Sequence, residues 1–316
     1  MELYIEKKFI DNFYINVKTE NPTKSEQILI NIFQSYGDVD SFIDVEYDTL
    51  EELKNLKVSN KYLSNLQIAP IGIDNIKTHF FKFSECKQTI LLLYKTEEWF
   101  DEAENKGALC LSLESFEKRI TELTQYADSL DIDVDEFEGW EMFEFMQRVP
   151  FNKITLCDNF VLTEKKDGQI QENIIPLLKV LLRGKEDLRI PVKIFTREFN
   201  THYPHNNEQL LDEVKQKFTI LNRSLANYTS RLKILNTKAN DKVDFHRREL
   251  ITNFFIISPD KGFNLVPATG RYDPITVWTI FTKKEHKRIN KRMRMCKNHE
   301  DFLTELGNKN FQYYPE

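Results

Sequence analysis

The sequence contains little glycine, 9 residues in 316, and it has no long hydrophobic run. A membrane-spanning helix needs about 20 consecutive apolar residues, whereas the longest apolar runs here, such as TILLLY and NFFIIS, have the length of a strand. The N-terminal MELYIEKKF carries charged residues where a secretory signal would have an apolar stretch. We therefore expect a cytoplasmic protein with few flexible linkers.

Sequence motifs for metals and cofactors are also missing. The four cysteines, Cys86, Cys110, Cys157 and Cys296, are scattered and form no CxxC pair, which argues against a zinc site or a disulfide framework and fits a reducing compartment. The motifs HExxH, GxGxxG, GxxxxGK[ST] and GxSxG do not occur. The sequence thus predicts no metal and no cofactor.

The charges that are present divide unevenly along the chain. Residues 1–150 carry 15 Lys and Arg against 30 Asp and Glu, a balance of −15, whereas residues 151–316 carry 29 against 20, a balance of +9. Such asymmetry indicates different partners for the two halves, or attraction between them. The basic half could contact a polyanion, and the acidic half could cover it in the absence of ligand.

Hydrophobic patterns predict α/β structure in both halves. Strand-like and helix-like segments alternate, which favours layers with parallel strand pairs. The N-terminal half includes a helix capped by Asp48 and another capped by Thr96. We predict two domains, an acidic α/β domain at residues 1–145 and a basic domain at residues 151–316, with a mixed sheet flanked by helices in the second.

The stretch DFHRRELITNFFIIS, residues 244–258, places a histidine, a basic residue and an amide at a distinctive spacing: His246, Arg248 and Asn253. With the preceding segments KITLCDNFVL, PVKIFTREF and RLKILNT, and the following Gly262-Phe263, it resembles the phospholipase-D-like domain at the C-terminus of MIT-domain proteins. The resemblance covers roughly residues 152–300. Two positions depart from the pattern, because Arg247 replaces an acidic residue and Arg248 stands where the catalytic superfamily has lysine.

The resemblance implies a phospholipase-D-like fold and a role for these residues at phosphate. In the superfamily, a histidine attacks phosphorus while a lysine and an amide or carboxylate hold the phosphate oxygens. By that analogy His246, Arg248 and Asn253 form the candidate catalytic set, and Arg247 is a candidate phosphate contact. In a strand, His246 and Arg248 would share a face, and the guanidinium could bind phosphate oxygens in bidentate fashion.

Three interpretations of this strand stay open: a structural edge, a phosphate-binding strand or a catalytic strand. Catalysis in the superfamily uses two such motifs, one for the nucleophile and one for the acid. No second motif is present, since the residue five beyond Arg288 in the nearest candidate, His286-Lys287-Arg288, is Met293. A homodimer could supply the second copy across a two-fold axis.

The segment KKEHKRINKRMRMCKN is the most basic part of the chain and is predicted to be helical. On a helix its cations form a stripe at i, i+3, i+4, i+7 and i+8. The predicted phosphate-binding residues of this stripe are Lys284, Lys287, Arg288, Lys291 and Arg292. Such a stripe suits a phosphate backbone or an anionic surface, and a merely solvated helix face is the alternative.

The sequence therefore predicts a cytoplasmic protein whose basic half binds a phosphate-rich partner, with nucleic acid as the preferred ligand and a homodimer as the preferred assembly. A place in bacterial defence against phage follows only by association. One rival function is a dimeric, metal-independent nuclease with His246 as the nucleophile. Another is a module that binds anionic membranes, and this binding would be lost in high salt.

Overall fold

The computed structural model describes most of the chain, in two compact units. The described residues are 1–17, 20–37, 39–72, 75–124, 130–132, 136–162, 169–197, 207–229, 232–237, 248–259, 262–265, 274–305 and 312–313. One unit comprises Met1–Ala127, Val149–Asn152 and Thr279–Lys287, and the other comprises Asp128–Arg148, Lys153–Trp278 and Arg288–Glu316. The predicted domain limits at 145 and 151 stay a prediction.

The first unit is built on a parallel sheet of five strands in the order β3-β2-β1-β4-β5. The strands are β1 (Glu2–Ile5), β2 (Asp40–Ile43), β3 (Gln67–Pro70), β4 (Thr89–Leu93) and β5 (Ala108–Ser112). All residues of β4 and β5 are buried. Continuous burial is expected for parallel strands covered on both faces, and it explains why TILLL reads as an unbroken apolar run.

Among the described residues, six helices connect or follow these strands. They are α1 (Lys7–Asn16), α2 (Lys24–Ser35), α3 (Leu50–Ser59), α4 (Ile76–Phe83), α5 (Phe100–Asn105) and α6 (Phe116–Thr124). A capping box starts α2, because the Thr23 hydroxyl accepts from the Glu26 N–H and the Glu26 carboxylate accepts from the Thr23 N–H.

Two predicted helix caps are wrong. Thr49 rather than Asp48 caps α3, because its hydroxyl accepts from the Glu52 N–H while the Glu52 carboxylate accepts from the Asp48 N–H. Thr96 caps no helix, since its hydroxyl hydrogen-bonds Ser112 and α5 begins only at Phe100. The hydroxyl of Thr49 thus takes the place expected for the Asp48 carboxylate, and the Thr96 hydroxyl is engaged by Ser112 on β5.

The second unit contains a mixed sheet of eight strands in the order β13-β9-β8-β7-β10-β11-β12-β6. These strands are β6 (Leu130–Ile132), β7 (Ile154–Cys157), β8 (Val192–Arg197), β9 (Leu232–Thr237), β10 (Glu249–Ile251), β11 (Phe255–Pro259), β12 (Ile275–Thr279) and β13 (Gln312–Tyr313). Strands β7, β8 and β9 are parallel, and β10 runs antiparallel to β7 and to β11. The mixed α/β fold class is thereby confirmed.

The helices of the second unit are α7 (Ile175–Leu182), α8 (Asn207–Leu225) and most of α9 (Lys283–Glu305). A π-helical segment, Gln169–Ile174, leads into α7, and a 3-10 turn at Glu186–Leu188 follows it. A 3-10 helix, Trp140–Arg148, packs on α7. Its Gln147 side chain donates to the Val180 carbonyl, so this helix is a docked element of the second unit.

No helix among the described residues is both long enough and apolar enough to cross a membrane.

Candidate phosphate-binding surface

The predicted motif strand begins later than its sequence pattern suggests. Strand β10 starts at Glu249, so Arg248 lies one residue before it, and His246 and Arg247 lie outside the described residues. Asn253 lies in the turn between β10 and β11. Thr252 closes this turn, because its N–H donates to the Phe255 carbonyl and its hydroxyl accepts from the Phe255 N–H.

Arg248 and Asn253 consequently occupy opposite ends of β10. The three residues of β10 lie between them, and a strand of that length spans about 10 Å. The Asn253 side chain is also fully buried. These two members of the predicted catalytic set are therefore not brought to one ligand position.

Arg248 instead meets a buried carboxylate at the end of strand β7. Its Nε lies 3.6 Å from Oδ1 of Asp158, which is fully buried, and its guanidinium lies over the Phe160 ring at 5.4 Å from the centroid. Asp158 is held by two further donors, the Phe160 N–H at 2.8 Å and the Gln169 amide at 3.3 Å. Arg248 is thus an anchored side chain, and the carboxylate neutralises much of its charge.

Gly262 makes room for this arginine. Its φ is +105°, in the region that favours glycine, and a Cβ placed there would lie 2.1 Å from Nη1 of Arg248 and 2.6 Å from its Cδ. The Gly-aromatic pair predicted from the sequence therefore has a physical reason. The glycine lets the chain pass the arginine, and the fully buried Phe263 packs near Trp140 with ring centroids 6.1 Å apart.

Helix α9 is present where the basic segment predicted it, but two of its arginines face the protein. Arg292 is largely buried and its Nε donates to the carboxylate of Glu249, which is fully buried. Arg288 lies 3.9 Å from the same carboxylate, and its guanidinium stacks on Trp278 at 3.4 Å from the ring centroid. Both arginines serve to dock α9 within the second unit.

The exposed cations of α9 form a different set from the predicted stripe. Lys284, Lys287 and Lys291 are exposed as predicted, and Arg294 and Lys297 are exposed as well. Lys291, Arg294 and Lys297 belong to the second unit. Because these three follow one another at i+3, neighbours in the series lie on adjoining parts of the helix surface.

Sequence reasoning missed the acidic partners of both arginine sites. Asp158 and Glu249 pair with Arg248 and Arg292, and a third pair, Cys157 and Cys296, joins β7 and α9 with sulfurs 3.6 Å apart. One signal was available for Asp158, since polar residues directly after a buried parallel strand gather at the carboxyl edge of a sheet. No comparable signal marks Glu249 or the cysteines.

The described residues contain no group of three or more His, Cys, Asp or Glu side chains that could hold a metal ion. Comparisons of the chain with protein-family models, with curated proteins and with solved structures find no match.

Proposed function

We propose that the second unit binds the phosphate backbone of nucleic acid through the exposed cations of helix α9. The observation that carries the proposal is the exposure of Lys291, Arg294 and Lys297 on a helix whose other arginines, 288 and 292, are engaged by Glu249 and Trp278. A docked helix presents its remaining cations at fixed positions. Such an arrangement suits a polyanion better than a single small anion.

The spacing of these cations suits a nucleic-acid strand. Residues 291 and 297 are six apart on the helix, which corresponds to about 9 Å along its axis. Phosphates of one strand follow one another at about 3.4 Å along a duplex axis. The series can therefore face two or three consecutive phosphates. Binding through such contacts depends on the charge of the backbone and not on the base sequence.

We further propose that the second unit is phospholipase-D-like. This is supported by the run of parallel strands β7, β8 and β9 followed by the antiparallel hairpin β10–β11, and by the Gly262–Arg248 contact at the motif. The positions of Arg248 and Asn253 favour binding over catalysis. Arg248 is engaged by Asp158, and Asn253 lies at the far end of β10, so neither is positioned to share a phosphate.

A dimeric nuclease remains the second candidate. The described part of the motif provides one copy per chain, so two copies would have to meet across a homodimer, as the sequence predicts. The test of the proposed function must therefore report cleavage as well as binding.

The experiment uses fluorescently labelled single- and double-stranded DNA and RNA, each 24 nucleotides long per strand. Binding is measured by anisotropy and gel shift, in EDTA, between 50 and 200 mM salt. With about three phosphate contacts, the wild-type association constant should fall about 40-fold over this range. Lys291→Gln/Arg294→Gln should reduce the slope of log K against log salt by about two. A matched control, Lys215→Gln/Arg223→Gln, removes one exposed lysine and one exposed arginine from α8 of the same unit.

Equal losses in both double variants would mean that net charge, not α9, governs binding. No binding to any of the four probes, together with salt-sensitive binding to phosphatidylserine vesicles, would replace nucleic acid by an anionic membrane. Cleavage that disappears in His246→Ala would replace the binding function by the dimeric nuclease.

A further inference from the structure

Two of the four cysteines face each other inside the second unit. Sγ of Cys157 on β7 and Sγ of Cys296 on α9 are 3.6 Å apart, although 139 positions separate them in the chain. Both thiols are buried, Cys157 completely and Cys296 with 7 % of its surface exposed. A disulfide bond measures about 2.05 Å, so the sulfurs would need to approach by about 1.5 Å to form one.

The pair is one of two adjacent contacts that hold α9 on the sheet. Cys157 and Glu249 are direct partners across the antiparallel pair β7–β10, so their side chains share a face of the sheet. Cys296 and Arg292 are one helical turn apart, so their side chains share a face of α9. Arg292 binds Glu249 and Cys296 meets Cys157, which fixes the two sulfurs opposite each other.

Cys296 can be reached from solvent through a cavity of about 350 Å³. The cavity lies between α9 and one end of strands β7, β8 and β10, and its polar lining includes Lys153, Lys193 and Lys297. Cys157 does not line it. A water-sized reagent that enters the cavity therefore meets Cys296 before Cys157.

The two thiols also differ in acidity. The hydrogen bond with Cys157 lowers the pKa of Cys296, burial opposes this, and the positive charge of Arg292 lowers the pKa further. Burial raises the pKa of Cys157 well above that of an ordinary thiol. The sulfur that is accessible is thus also the one that is more readily ionised, and the thiolate is the reactive form.

We propose that Cys157 and Cys296 form a reversible disulfide when a small hydroperoxide enters this cavity. The Cys296 thiolate attacks the peroxide oxygen, an S–O bond forms as the O–O bond breaks, and the leaving oxygen takes up a proton to give water or an alcohol. Cys157 then attacks the sulfur of Cys296, the S–S bond forms as the S–O bond breaks, and the hydroxide leaves as water with the Cys157 proton. The sulfurs lose two electrons and the peroxide gains two.

The remaining cysteines are placed differently. Cys86 lies 3.5 Å from the Ser84 hydroxyl, and Cys110 donates to the Phe100 carbonyl. Burial raises the pKa of both thiols. They serve as internal controls in the same chain.

The test treats the reduced full chain with hydrogen peroxide and titrates free thiols after denaturation. The count should fall from four to two per chain and return to four with dithiothreitol. Trypsin cuts after Lys153 and Lys165, and after Arg294 and Lys297. Mass spectrometry without reduction should therefore find residues 154–165 linked to residues 295–297.

Variants separate this pair from any other. Cys110→Ser should still lose two thiols and give the same linked peptide, and Cys296→Ser should lose none. Cys157→Ser should leave Cys296 as a sulfenic acid that dimedone traps. The proposal is overturned if four thiols persist in the wild type, if Cys296 is over-oxidised without a cross-link, or if the link joins two chains.

Discussion

Arg248 illustrates how one side chain can be fixed from three directions. The Asp158 carboxylate pairs with its guanidinium, the Phe160 ring lies beneath it, and Gly262 leaves the space that its side chain fills. An arginine held in this way still has N–H groups that Asp158 does not occupy, because a guanidinium has five. Its first role is nevertheless to join the end of β7 to the start of β10.

Gly262→Ala should be strongly destabilising, because the new methyl group occupies the position of the Arg248 side chain. Gly139→Ala is the matched control, since Gly139 also has a positive φ, +124°, but no atom within 4 Å of an added Cβ. We expect backbone strain of about 1–3 kcal/mol from both changes, and a further 1–3 kcal/mol from crowding at position 262 only. Urea unfolding of both variants measures the difference.

The double variant Gly262→Ala/Arg248→Ala tests the cause. Removing the arginine should relieve the crowding, so the two changes together should cost less free energy than the sum of the single changes. Additive costs would show that the Arg248 side chain is not what Gly262 accommodates.

Glu249 is the second residue whose replacement should be severe. Removing its charge leaves Arg292 buried without its carboxylate, and breaking a buried pair costs about 3–5 kcal/mol. We therefore expect Glu249→Gln to lower the free energy of unfolding by that amount. The control is Glu141→Gln, whose exposed pair with Arg183 should contribute less than about 1 kcal/mol. Similar costs for both variants would contradict the burial of the Glu249 pair.

At the scale of elements, α9 has two distinct surfaces. The surface toward the sheet carries Arg288, Arg292 and Cys296, and the exposed surface carries Lys291, Arg294 and Lys297. Docking by ion pairs and by a thiol contact fixes the rotation of the helix about its axis. That rotation decides which cations remain available to a polyanion.

Glu300 should make the docking of α9 depend on pH. Burial raises the pKa of its carboxyl, but hydrogen bonds and charge from Lys193 on β8 and Lys233 on β9 outweigh burial and leave the pKa below its ordinary value. A lowered pKa in the folded state stabilises the protein above the unfolded pKa, and this contribution disappears as pH falls through the folded pKa.

Glu300→Gln should therefore be less stable than wild type by about 1–3 kcal/mol at pH 7. The difference should shrink between about pH 5 and pH 3, as the wild-type carboxyl takes up its proton. Urea unfolding at several pH values measures it. A difference that stays constant down to pH 3 would assign the cost to packing and not to the charge.

The sequence predicted elements better than it predicted the direction of their side chains. Apolar runs such as TILLLY identified buried strands, and charge density identified α9. Whether Arg292 faces solvent or protein depends on Glu249, 43 positions away, and whether Cys157 has a partner depends on a residue 139 positions away. Periodicity contains no information about such contacts. The same holds for Asn253, where hydrogen bonds of Thr252 place the turn.

At the scale of the whole chain, the two sheets differ in how their strands pair. Among its described residues the first unit has only parallel strand pairs, with β1 at the centre of the sheet and β3 and β5 at its edges. The second joins a parallel set to an antiparallel hairpin through the β7–β10 pair. Strands β4 and β7, each paired on both sides, are buried at every position, and in the second unit β7 and β10 also hold Cys157 and Glu249.

Amide hydrogen exchange should follow this order within each unit. Amides of the central strands open only with larger unfolding events, whereas edge strands can open locally. In the first unit, we expect a peptide that contains Leu91 on β4 to exchange at least about tenfold more slowly than a peptide that contains Ile68 on the edge strand β3. Mass spectrometry of exchange on the full chain measures both peptides together. If the Ile68 peptide were as protected as the Leu91 peptide, β3 would have a strand on its other side, and the five-strand order would have to be extended.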